Sequence, residues 1–292
     1  MHNWKLLPSL SDISVPARED DALIELWLAT KLSPHTRRAY RAEIAKFLKA
    51  AGKPLSQLTM SDLQAYVQLQ GQGSLKPASQ NRALTAIKSL LSFGEQTGYL
   101  AFNVGAAVKL RPNPDGLAQR ILAESDVTRL IDRAKRLRDQ VMLRLLYMSG
   151  IRVSELARLK WRDAVARHEG GQITVFGKGG KTRAILLKPK TWELLVSLRV
   201  ENGPDAPVFR SRKGGHLDVS QIRRIVYAAA VSAGLPGHVS PHWLRHAHAS
   251  HALDRNAPIH LVQATLGHAS VSTTGRYLHA RPTDSSSLYL PE

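Results

Sequence analysis

The sequence predicts a mainly α-helical protein of two domains, an N-terminal helical bundle followed by a mostly helical C-terminal domain with a small antiparallel β-sheet. Three observations predict it. Apolar residues recur at three- and four-residue spacing through most of the chain. A turn-rich stretch, Arg111-Pro112-Asn113-Pro114-Asp115-Gly116, interrupts that pattern once. Two short strand-like runs, 172–176 and 183–187, flank the Gly-rich segment Gly177-Lys178-Gly179-Gly180. A length of 292 residues agrees, at about 150 residues per domain.

Taken in order, Leu23, Ile24, Leu26, Trp27 and Leu28 form one helical face, and Tyr40, Ile44, Phe47 and Leu48 form a second after the breaker Leu32-Ser33-Pro34. A third helix starts at 59–62 with Ser61 as its cap. A fourth runs from Pro77 through Leu84, Ile87, Leu90, Leu91 and Phe93 to Gly98. We expect the first domain over 1–104, a linker over 105–119 and the second domain over 120–292. Fully extended, that linker reaches about 50 Å, more than the width of a nucleic-acid duplex. The second domain opens with a helix after Ala123 and a second one through Val141, Met142, Leu145, Leu146 and Met148 to Gly150. A short helix over 153–159 and the hairpin follow, and then helices at about 191–200, 220–233, 241–254, 258–266 and 272–279.

Composition narrows the function classes. With 41 Lys+Arg against 23 Asp+Glu the formal charge is +18, spread over both parts of the chain, and a basic body of this kind implies a polyanionic partner. Hydrophobic residues make up 43% and charged residues 22%, a globular and not a disordered composition. The absence of cysteine excludes disulfides, Cys–metal sites and thiol nucleophiles. No signal-peptide pattern and no apolar run of bilayer length is visible, so the expectation is a soluble cytoplasmic protein without membrane attachment. On the first domain, Arg37, Arg38, Arg41, Lys46, Arg82 and Lys88 mark polar helix faces; each alone suits a solvated face, and the domain's charge favours phosphate contact for some.

Four segments hold polar residues that a core-and-surface account does not require. In Ser149-Gly150-Ile151-Arg152-Val153-Ser154-Glu155-Leu156, Arg152 sits between a helix-ending Gly and a new helix, where an anion is favoured; an ordinary ion pair with Glu155 is the plainer reading. His242 and Arg245, three apart on one helical face, set an imidazole beside a fixed bidentate cation, an arrangement that suits a phosphodiester. His242 and His246 have metal-ligand spacing, but Trp243 stands where a zinc protease needs Glu; His246, His248 and His251 are expected to pack or hydrogen-bond locally. Lys178 is a turn lysine free to enter a groove, with Lys181 as its rival. His268 equally suits a helix cap, and Tyr277 a core aromatic.

Together, Arg152, Lys178, His242-x-x-Arg245, His268 and Tyr277 closely resemble the catalytic constellation of the tyrosine recombinase (phage integrase) family, its two-domain Xer-like members in particular. Ser149–Leu156 is similar to that family's Ser/Thr-Gly-x-Arg-x-x-Glu-Leu box, 177–183 to its Gly-Lys-Gly-x-Lys-x-Arg hairpin, 242–246 to its His-x-Leu-Arg-His box, and Leu266-Gly267-His268 with 272–277 to its closing segment. The first domain resembles the family's SAM-like core-binding domain, with Leu32–Tyr40 and Ser79–Phe93 as its DNA-facing helices. The departures are the lack of Pro after Arg183, Val104 where Pro is usual, and Gly275-Arg276 before Tyr277. Gly275 weakens that helix by up to about 1 kcal/mol relative to Ala.

The resemblance implies a site-specific recombinase working without metal, ATP or other cofactor. Tyr277 would attack a DNA phosphate to give a 3′-phosphotyrosyl link, and a Holliday junction would follow. Arg152, Arg245 and His268 would offset charge, His242 would take the phenol proton, Lys178 would protonate the leaving 5′-oxygen, and Glu155 would orient the site. It also implies DNA contacts by Arg37, Arg38, Arg41, Arg82 and Lys88, and a tetramer on two duplexes, either of one chain or with a sister recombinase. The C-terminal Leu288-Tyr289-Leu290 would dock on a neighbouring subunit. The competing readings are a type IB topoisomerase-like nicking enzyme, a non-catalytic DNA-binding protein of the same fold, and a metal-dependent nuclease.

Overall fold

The computed structural model describes residues 20–73, 77–112, 116–177, 180–200, 203–235 and 237–278. The chain divides into two compact units, Met1–Pro114 and Asp115–Glu292.

The first unit is a four-helix bundle: α1 (Asp20–Ala29), α2 (Pro34–Ala51), α3 (Met60–Gln72) and α4 (Pro77–Gln96). Ser33 caps α2 with Pro34 at its first position, and Gly52 ends it in the left-handed region at φ 62°. The cap of α3 is Thr59, not Ser61. Thr59 Oγ1 accepts the Asp62 N–H at 3.3 Å, and the Asp62 carboxylate accepts the Thr59 N–H at 2.9 Å. A hydroxyl with a carboxylate three residues on satisfies two orphan donors at once. Trp27, Phe47, Ile87, Leu90 and Leu91 are buried at the centre. Trp27 stacks on Tyr40 and Phe47 meets Tyr66 edge-on.

The stretch expected as a linker, 105–119, is anchored at both ends. On α4, Asn81 Nδ2 donates to the Arg111 carbonyl at 2.8 Å, its Oδ1 accepts the Arg111 N–H at 3.0 Å, and Lys88 Nζ donates to the Ala106 carbonyl at 3.1 Å. At the other end Leu117 is buried in the second unit. The long reach of a free segment therefore requires these bonds to break.

The second unit contains α5 (Glu124–Asp132), α6 (Leu137–Ser149), α7 (Val153–Arg158), β1 (Ala164–Arg167), β2 (Gly170–Phe176), β3 (Thr182–Leu187), α8 (Pro189–Val196), α9 (Val219–Ser232), α10 (Pro241–Asp254), α11 (Ile259–Leu266) and α12 (Val271–Gly275). The sheet is antiparallel in the order β1-β2-β3, with Val175 opposite Arg183. Strand β1 has no counterpart in the sequence expectation: as a mostly exposed edge strand it lacks the apolar alternation that reveals a half-buried one. Helix α12 is shorter than expected, ending at Gly275. Met142, Leu145 and Leu146 of α6 pack with Leu156, Ile173 and Leu244 in the main core. Gly150, at φ 59°, ends α6; a Cβ there would meet Leu266 Cδ2 at 2.6 Å and His248 Cδ2 at 2.8 Å. Both the backbone and the space call for glycine, and the turn it permits aims the next segment into the site. Among the described residues no helix is long and apolar enough to cross a membrane.

Candidate active site

Arg152 follows the Gly150 turn and stands at the head of α7. Its backbone N–H donates to Glu155 Oε2 at 2.9 Å, one guanidinium nitrogen donates to Glu155 Oε1 at 3.0 Å, and the other to the Gly267 carbonyl at 3.0 Å. The ordinary ion pair and the placement at a helix start are thus both present. Glu155 is buried and also receives Arg183 of β3 as a fork, at 3.0 and 2.8 Å, while Arg183 Nε donates to the Thr265 carbonyl at 2.7 Å. Burial pushes the Glu155 pKa up, but the hydrogen bonds from Arg183 and Arg152 outweigh it and leave the carboxyl below its usual value. One carboxylate therefore orients two arginines.

Arg245, on α10, is 5% exposed. It donates to the Gly150 carbonyl at 2.5 Å and to the Leu266 carbonyl at 2.8 Å, and among the described residues no carboxylate bonds to it. Burial, together with the charge of Arg152, brings its pKa down to about 10, so it stays cationic at neutral pH. The same helix carries His242 and His246, whose rings lie 6.5 Å apart. Tyr277 follows α12, with its ring among Leu117, Ile121, Ala249, Val262 and Leu266. Its hydroxyl shares a 2.8 Å hydrogen bond with His246 Nδ1.

His268 follows Gly267, the left-handed cap of α11. Its Nδ1 bonds Thr274 Oγ1 at 2.9 Å, and its ring lies parallel to that of Tyr277 with centroids 6.5 Å apart. Burial, then the surrounding cationic groups, lower the His246 and His268 pKa values to about 4 and lower that of His242 as well. The imidazoles are thus held towards the neutral form, in which a ring nitrogen can accept a proton. Burial raises the Tyr277 phenol above its usual value, against the opposing effect of Arg245 and Arg276.

Arg152, His242, Arg245, His246, His268 and Tyr277 line one cavity of about 350 Å³, together with Arg120, Thr273 and Arg276. Five of the six side chains expected to act there, Arg152, His242, Arg245, His268 and Tyr277, thus come together. The sixth, Lys178, lies outside the described residues, as do Tyr289 and the tail 279–292. Lys181 is exposed, and its carbonyl closes the turn by accepting the Gly177 N–H at 2.7 Å. His248 and His251 bond locally, to the Tyr147 carbonyl at 2.8 Å and the Tyr147 hydroxyl at 2.9 Å. His246 does not: its partner is the expected nucleophile. Among the described residues no group of three His, Cys, Asp or Glu is placed to hold a metal ion. The sequence reading gave no role to Arg183, Arg120 or Arg276 and did not foresee the contact of His246 with Tyr277. The i, i+4 spacing of His242 and His246 was the available signal for the last of these.

On the first unit, Arg37 donates to the Lys31 carbonyl at 2.7 Å, Arg41 pairs with Glu25, Arg82 pairs with Glu43 at 2.9 Å, and Lys88 holds the 106–108 carbonyls. Arg38 is exposed and has no such partner among the described residues.

Known proteins match this architecture along most of the chain. Residues 120–284 match the phage integrase family and residues 23–98 the phage integrase N-terminal SAM-like domain. Tyrosine recombinase XerC of Xanthomonas campestris pv. campestris is 33% identical over 267 residues, 88% of this chain and 82% of that protein. The crystal structure of the XerH site-specific recombinase bound to difH substrate shares the fold at TM-score 0.72 and 21% identity, covering 93% of this chain and 83% of that one. A lambda integrase tetramer bound to a Holliday junction does so at TM-score 0.72 and 18% identity, over 93% and 84%. The chain belongs to the phage integrase family: it is a Xer-like tyrosine-type site-specific recombinase.

Proposed function

We propose that this recombinase cleaves and rejoins DNA strands at the cavity bounded by Arg152, Arg245 and Tyr277, through a 3′-phosphotyrosyl intermediate. The observation that carries the reading is that one cavity is lined by the phenol, three imidazoles and four arginines, Arg152 and Arg245 among them. Tyr277 attacks the phosphorus of a backbone phosphodiester, forming the Oη–P bond as the P–O5′ bond breaks. Charge gathers on the nonbridging oxygens, where Arg152, Arg245 and the rings of His242 and His268 offset it; donors fixed in advance do this without reorganisation. Glu155 keeps Arg152 in place. Lys178 supplies the proton to the leaving 5′-oxygen, with Lys181 as the rival donor in the same turn.

The DNA partner follows from the basic charge and from the DNA-bound relatives. The assembly is a tetramer on two duplexes, like the lambda integrase tetramer on its junction, and is built either of this chain alone or with a sister recombinase. Its place of action is the cytoplasm. Two domains, 1–104 and 120–292, grip the duplex, with Arg38 the first-unit candidate left unpaired for a phosphate.

The test is capture of DNA covalently bound to the full-length protein from a random-sequence duplex library, mapped by sequencing. Wild type is expected to yield a defined cleavage position with protein on the 3′ side, and Tyr277→Phe to yield no adduct. Covalent adducts formed by Tyr277→Phe would overturn the assignment.

A further inference from the structure

Resting on the reading of Tyr277 as nucleophile, we infer that His246 is a further catalytic residue, whose Nδ1 takes the phenolic proton as the phosphotyrosyl bond forms and returns it on religation. Among the described residues the hydroxyl of Tyr277 has one hydrogen-bond partner, His246 Nδ1, at 2.8 Å. The other two imidazoles are not placed for the task. His268 Nδ1 is engaged by Thr274 Oγ1, and its ring stacks on the tyrosine ring. His242 makes no hydrogen bond to the phenol.

The packing fixes this pairing. His246 directly follows Arg245, whose guanidinium is tied to the Gly150 and Leu266 carbonyls. Ala249, one turn further along α10, is part of the wall around the Tyr277 ring. One helix therefore sets both the arginine and the imidazole against the phenol, an arrangement that keeps a proton acceptor within reach before substrate arrives.

The proton balance is closed. The O–H bond of Tyr277 breaks, its electron pair enters the new O–P bond, and the proton goes to Nδ1, Nε2 already carrying the hydrogen of the neutral ring. The 5′-oxygen leaves with a proton from a separate acid, and religation reverses each step. The charged and titratable groups around His246 are Arg120 from the segment before α5, His242 and Arg245 on α10, and Arg276 beyond α12. Burial first, and then the neighbouring His242, Arg120, Arg245 and Arg276, hold the free ring towards its neutral form. A phosphodiester entering the cavity brings negative charge among them and raises the ring's proton affinity at the moment it is needed.

His246→Gln preserves a hydrogen-bond acceptor but cannot carry the proton. Its single-turnover rate of covalent attachment to a nicked duplex bearing the mapped cleavage site should fall by about 10²–10³-fold, within the range for loss of a general base. Affinity for the same duplex by gel shift should be unchanged. With hydroxide as the remaining base, the variant's rate should rise about tenfold per pH unit, more steeply than wild type's. His246→Asn serves if the Gln variant fails to give a native circular-dichroism melt. A rate for His246→Gln close to wild type's, with the loss appearing instead in His242→Gln, overturns the inference. Independently of DNA, ¹⁵N NMR should show His246 Nδ1 unprotonated in the free protein, its resonance shifting in Tyr277→Phe; a protonated Nδ1 overturns the inference as well. Adducts formed by Tyr277→Phe would instead sink the nucleophile reading itself.

Discussion

The first unit and the active-site region of the second hold their positive charge in opposite ways. On the first, cations pair with carboxylates near solvent: Arg41 with Glu25, Lys53 with Asp62, and both Arg82 and Lys46 with Glu43. In the second, Arg152, Arg183 and Arg245 converge on a region with, among the described residues, a single buried carboxylate, Glu155, and the other hydrogen bonds they make go to the carbonyls of Gly150, Thr265, Leu266 and Gly267. Exposed pairs of the first kind contribute little and are screened by salt. A surplus of the second kind is held at the cost of desolvation and mutual repulsion, which an anion in the cavity relieves. The difference separates solvating charge from charge kept for a ligand.

The largest break in this comparison is Arg245→Ala. Removing the most deeply buried of the cavity's cations should lower the single-turnover cleavage rate by about 10²–10³-fold, the usual loss for one preorganised donor. A rate near wild type's would mean that Arg245 is structural. Glu155→Gln comes next, because it leaves Arg152 and Arg183 without their shared carboxylate. Unfolding in urea should show a loss of about 3 kcal/mol, as for breaking a buried pair. The pH dependence has a definite sign. The folded-state pKa of Glu155 lies below its usual value of 4.5, so its contribution is complete above that value and is lost as pH falls through the folded-state pKa. Wild type should lose stability across that acid window, and the variant should lose less.

How much of this was legible depends on distance along the chain. Arg152 and Glu155 lie within one helical turn, and so do His242 and Arg245, so spacing alone placed each pair on a common face. Glycines at 150 and 267 announced the turns that carry Arg152 and His268. Arg183 and Glu155 are 28 residues apart, and His246 and Tyr277 are 31 apart. No periodicity joins residues across a sheet or between α10 and α12, and such contacts are set by packing that local pattern does not encode. The same limit hid β1, whose exposed face has no apolar alternation, and the hold of Asn81 on Arg111. The cap of α3 was not separable by pattern, since Thr59 has Asp62 and Ser61 has Gln64 three residues on.

The smallest expected effect sharpens the comparison from the side of the first unit. Arg38 is the exposed candidate with no partner there, so Arg38→Ala should leave the urea midpoint unchanged. It should weaken DNA binding a few-fold, and lower the slope of log affinity against log salt by about 1, the signature of one lost phosphate contact. Arg82→Ala removes the hydrogen-bonded partner of buried Glu43, leaving it only the longer contact with Lys46, and should do the reverse, lowering stability by about 1–2 kcal/mol with little change in the salt slope. If instead Arg82 moves the slope and Arg38 does not, the cations of the first unit exchange their protein partners for phosphates on binding. Pairing in the free protein would then describe charge held in reserve.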